Sequence, residues 1–208
     1  IQLKMAEAYR RLYQFTKAKD IYLEVLKAAN TMLNIQVEAS KLYQDWAMVA
    51  NKDEEKRTLY LRAMGGSQEK DPKSGKSVIW GWGRLFQTAA KYPQYRDVFH
   101  EARYNLALCR FNLARVPNLK SEQQENLTKA RDNIVQTQQL FGSGPEWEAW
   151  RPRYDALMKE IQKALGERPL GLPQLQLPGA AAAGGAAGGA GAKPAATPPP
   201  PPLKPPAE

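Results

Sequence analysis

Met5-Ala6-Glu7-Ala8-Tyr9 is followed by Ala18-Lys19-Asp20-Ile21-Tyr22, two segments with matching apolar spacing. In each half the apolar residues stand three and four apart, so each half forms an amphipathic helix with one buried face. Tyr13 continues the first stripe, and Val25 and Leu26 continue the second. Phe15 and Thr16 mark the turn between them, with Thr16 placed to cap the second helix. Ala6 and Ala18 are small where the two helices cross, and Tyr9 and Tyr22 fill the space beside that close contact.

The pattern recurs. Ala39-Ser40-Lys41-Leu42-Tyr43 repeats residues 5–9 at an offset of 34, with Trp46 and Val49 extending its stripe. A partner helix follows over residues 53–64, capped by Asp53, with Leu59, Tyr60 and Ala63 turned inward and Gly65-Gly66 as its stop. Glu54 and Glu55 add negative charge where a helix dipole favours it. A polar loop spans 65–76, and a helix is expected over 77–91, burying Ile79, Trp82, Leu85, Phe86, Ala89 and Ala90. Gly81 and Gly83 near its start admit another backbone, and Tyr92-Pro93 ends it. Residues 97–115 carry the stripe Val98, Ala102, Leu106, Cys109 and Leu113. Ser121-Glu122-Gln123-Gln124 reads as a capping box opening a helix to about residue 140, with Ala130 and Ile134 inward. Pro145 opens an eighth helix, in which Trp147, Trp150, Tyr154, Leu157, Met158, Ile161 and Leu165 recur at helical spacing. Pro152 predicts a kink or a restart there, and Gly166 an end.

The spacing of Ala6, Tyr9, Ala18 and Tyr22, its recurrence after 34 residues, and Tyr104-Asn105-Leu106-Ala107 together resemble the tetratricopeptide repeat family. The resemblance covers residues 5–60 and, in part, 104–134. It implies an all-α fold of antiparallel helical hairpins stacked as a solenoid, with first helices lining a groove. Positions beside the motif residues would then face that groove: Glu7, Arg10, Arg11, Lys41, Gln44, Asp45, Tyr104, Leu108 and Phe111. One branch of the family grips a peptide's terminal carboxylate with Lys and Asn. Leu3 and Glu7 occupy the matching places of the first repeat here, which argues against that activity.

A single hairpin cannot offset its chain entropy with the 1.5–3 kcal/mol or so that each buried Leu, Ile or Phe contributes, so the helices must stack. The expected repeat domain covers residues 1–168. From 169 to 208 Ala, Gly and then Pro dominate, large apolar side chains are scarce, and a disordered tail is expected. Pro198 to Pro202 favours extended polyproline geometry, as spacer or ligand. Leu170, Leu172, Leu175 and Leu177 are candidates to rest on the last helices. The chain opens on Ile1 within a helical pattern and is expected to be a piece of a longer array.

The formal charge is +9, compatible with an acidic partner, nucleic acid or an anionic surface, but Lys and Arg are interspersed with Asp and Glu as on solvated faces. No apolar run is long enough for a membrane span. One Cys and one His allow neither an internal disulfide nor a usual zinc site. Cys109 reads as an inert core thiol and His100 as a surface or interhelical residue. Gly75-Lys76-Ser77 lacks the Gly a phosphate loop needs at position 70, which is Lys70. Trp82 and Trp147 read as core, and Trp80 and Trp150 stay open between core and a stacking platform. The expectation is a non-enzymatic scaffold without cofactor or metal, binding a protein or peptide. The alternative is a basic repeat module binding nucleic acid or an anionic surface.

Overall fold

The computed structural model describes residues 1–173, which lie within one compact unit. The expected low-complexity tail falls outside the described residues from position 174, as do Leu175 and Leu177. Among the described residues the chain is all-helical: eight α-helices, two short 3-10 turns, and an isolated antiparallel bridge between Lys70 and Ser77. The helices are α1 (Gln2–Arg11), α2 (Phe15–Ala28), α3 (Leu33–Val49), α4 (Asp53–Gly65), α5 (Trp82–Ala89), α6 (Arg96–Ala114), α7 (Lys120–Phe141) and α8 (Pro145–Ala164). None is long and apolar enough to cross a membrane.

Small residues set the close crossings. Ala6, Ala18 and Ala39 are fully buried, with Tyr22 and Tyr43 beside them. α1 packs on α2, α3 on α4 and α6 on α7. Alternate helices also meet: α1 with α3, α3 with α6, and α6 with α8. α6 is the shared wall. Its Ala102, Leu106, Cys109 and Leu113 join the apolar cluster of α1–α5, while its Ala107, Phe111 and Ala114 join a second cluster with α7 and α8.

Several local expectations are corrected. Tyr13 adopts a left-handed backbone (φ 58°), so the chain reverses within three residues and α2 begins at Phe15. Thr16 therefore lies inside the first turn and caps nothing. Phe15 is buried, stacked on Trp46 with centroids 5.6 Å apart. Lys52 occupies the cap position of α4, and Asp53, Glu54 and Glu55 all lie in its first turn, where they complement the dipole. A 3-10 turn over Pro117–Leu119 runs straight into α7, so Ser121 is already helical and forms no capping box. Met5, Tyr13 and Val49 are exposed at the ends of their stripes. α8 continues unbroken through Pro152.

The largest departure is at residues 77–81, expected to be helical. Val78, Ile79 and Trp80 instead form a bent, non-helical segment buried beside α3. Gln36 holds them there: its Nε2 donates to the Val78 carbonyl at 2.8 Å and its Oε1 accepts from the Trp80 N–H at 2.7 Å. Ser67 N–H donates to the Ile79 carbonyl, and Val78 N–H donates to that of Glu69. With backbone groups satisfied across the loop, residues 77–81 have no need of helical bonds. Gly66 (φ 102°) and Gly81 let the loop close on the end of α4; a Cβ on Gly81 would lie 2.3 Å from the Met64 carbonyl oxygen. α5 is thereby shortened to eight residues, wedged against α3, α4 and α6.

Candidate functional site

The N-terminal halves of α1, α3 and α6 border a cleft of about 390 Å³. Leu3, Val37 and Val98 supply apolar wall, Tyr22 lies beneath, and Lys4, Glu7, Glu38, Lys41 and Glu101 stand around it. The i, i+3 and i, i+4 spacing within each helix puts these side chains on one face.

A chain of ion pairs ties the three helices together. Arg10 Nη2 meets Glu38 Oε2 at 2.8 Å and its Nη1 meets Asp45 Oδ2 at 3.1 Å. Lys41 Nζ lies 2.9 Å from Glu38 and 2.8 Å from Glu101. Burial opposes the Lys41 charge, yet its hydrogen bonds to Glu101 and Glu38 outweigh that and raise its pKa. Burial also pushes the Tyr22 hydroxyl up to about 12; Arg10 opposes this, and Glu38, Glu7 and Asp45 reinforce it. Glu7 pairs with the exposed Arg11 one turn on.

The expected groove residues thus separate. Glu7 and Lys41 border the cleft, and Arg10 and Asp45 belong to the same ion-pair chain, with Arg11 attached through Glu7. Gln44 does not face a groove. It is buried, accepting from Trp82 Nε1 at 3.1 Å and Cys109 Sγ at 3.5 Å while donating to Asn105 Oδ1 at 3.2 Å. Tyr104, Leu108 and Phe111 lie with the α7–α8 cluster instead. Tyr104 packs edge-on against Tyr154 with centroids 5.7 Å apart, and Phe111 is buried, so it offers no free surface.

Glu38 and Glu101, which bridge the helices, were missed. The Glu38–Lys41 spacing was the available signal for the first; Glu101 pairs across helices and had none. Trp80 is buried, with the Arg84 guanidinium 3.9 Å from its ring centroid, and is no open platform. Trp150 is half-buried near Tyr104 and Arg153. His100 is interhelical, and Cys109 is buried, which raises its thiol pKa. Among the described residues no group of three or more His, Cys, Asp or Glu side chains is placed to hold a metal ion.

No protein-family model, curated protein or solved structure matches this chain. The class it can be assigned is that of its fold, an all-helical protein.

Proposed function

We propose that residues 1–168 form a tetratricopeptide-like solenoid acting as a non-catalytic scaffold, which takes a protein or peptide partner against α1, α3 and α6. The alternation of contacts supports the solenoid: three hairpins, a closing α8, and α5 with its loop as an insertion between the second and third hairpins. The cleft carries the functional reading. It combines an apolar wall wide enough for a side chain with charged groups of both signs at its rim, the surface that suits an extended or helical peptide.

Peptides selected from a random library against the folded chain test this. Their protection footprint in hydrogen exchange should fall on α1, α3 and the start of α6. Leu3→Arg, which sets a charge on the apolar wall, should weaken them about tenfold or more. A footprint elsewhere, or a library that yields no binder, defeats the proposal.

A further inference from the structure

A larger cleft, about 740 Å³, opens between α4, α5, α6 and α7. Arg103 and Arg110 line it from α6, seven residues and so about two turns apart on one face. The acids at its α7 wall each have a cation: Glu122 has Arg57, Glu125 has Lys129 and Asp132 has Arg131. The two arginines have none. No carboxylate lies within 4.0 Å of either guanidinium among the described residues.

Arg103 is held by neutral groups, donating from Nε to Thr137 Oγ1 at 2.7 Å and from Nη2 to the Asn133 carbonyl at 2.9 Å, above the Phe86 ring. Arg110 Nε is buried and unpartnered. Burial comes first in lowering the pKa of both arginines, opposed at Arg110 by the charge of Glu125, and each is a cation that an anion in direct contact would stabilise. Leu61, Met64 and Phe86 supply apolar wall.

We propose that this cleft binds a small monocarboxylate with an apolar body, a chemistry that an N-acylated apolar amino acid provides. Arg110 takes the carboxylate, Arg103 adds its field, and the apolar body lies on Met64 and Phe86. The rim acids exclude polyanions, because each further negative charge meets Glu122, Glu125 and Asp132. This site is separate from the α1–α3–α6 cleft and does not depend on the scaffold reading.

Calorimetric titration of the full chain with N-acetyl-leucine, its neutral amide and phenyl phosphate is the test. The acid should bind saturably. The amide, and the acid with Arg110→Gln, should each bind at least about tenfold more weakly, with the melting temperature of the variant nearly unchanged. Equal binding of acid and amide, an unaffected Arg110→Gln, tighter binding of phenyl phosphate, or no saturation by about 20 mM acid would each overturn the proposal. Should Arg110→Gln fail to fold, the comparison of acid with amide on the native chain decides it alone.

Discussion

Gln44 shows how one polar side chain can organise a helical core. Its amide joins α3 to Trp82 of α5 and to Cys109 and Asn105 of α6. Gln44→Met keeps the volume and leaves the Trp82 N–H without its acceptor, so urea denaturation should show a loss of about 1–3 kcal/mol. His100 presents a different case. Phe99, Trp147 and Tyr154 surround its ring, and Tyr154 donates its hydroxyl to the His100 carbonyl at 2.9 Å. Burial, then the Arg96 charge, lowers its pKa to about 4, against the opposing pull of Glu146 and Asp97. Between that value and the ordinary 6.5, the unfolded chain binds a proton that the folded chain refuses. The His100 contribution is therefore complete above pH 6.5 and is lost as pH falls towards 4. Urea midpoints should decline over this window by on the order of 2–3 kcal/mol, and His100→Phe should flatten the decline.

At the level of the element, helix spacing located all eight helices, while their ends escaped it. Thr16, Asp53 and Ser121 have the right chemistry for caps, yet each lies inside a first turn. The reversal at Tyr13 and the 3-10 turn at Pro117 decided where α2 and α7 begin, and both are set by packing between helices. Residues 77–81 read as helix because Ile79, Trp82, Leu85 and Phe86 share its period. The acceptor and donor of Gln36, distant in sequence, hold the first part out of the helix. Gly81→Ala tests that closure. Its Cβ would strike the Met64 carbonyl, so the loop must shift, and thermal unfolding should report a loss of about 1–3 kcal/mol. Pro152 offers the opposite prediction. It is exposed within α8 and cannot donate to the carbonyl four residues back. Pro152→Ala should restore that bond and raise stability by about 2 kcal/mol, the helix-interior cost of proline less the added freedom of the unfolded chain, read as a higher melting temperature.

Along the sequence, the +9 charge is interspersed with acids. Arg10, Lys41, Arg57 and Arg131 each meet a carboxylate on another helix or beyond their own helix's end. Mobility-shift assays should accordingly detect no binding to duplex DNA at about 0.15 M salt. Tight binding that weakens steeply with added salt would favour the nucleic-acid alternative instead. For the described residues, the amino-acid order was enough to show eight helices and which face of each is apolar, because those follow from periodicity within single segments. Only the tertiary structure buries Gln44 and Phe111, brings Arg10, Glu38, Lys41 and Glu101 together, and sets Arg103 and Arg110 in one cleft with no carboxylate among the described residues within 4.0 Å of either guanidinium. Each of these depends on which helix lies against which, and that is set by the summed packing of residues far apart in the chain, a quantity no local spacing contains.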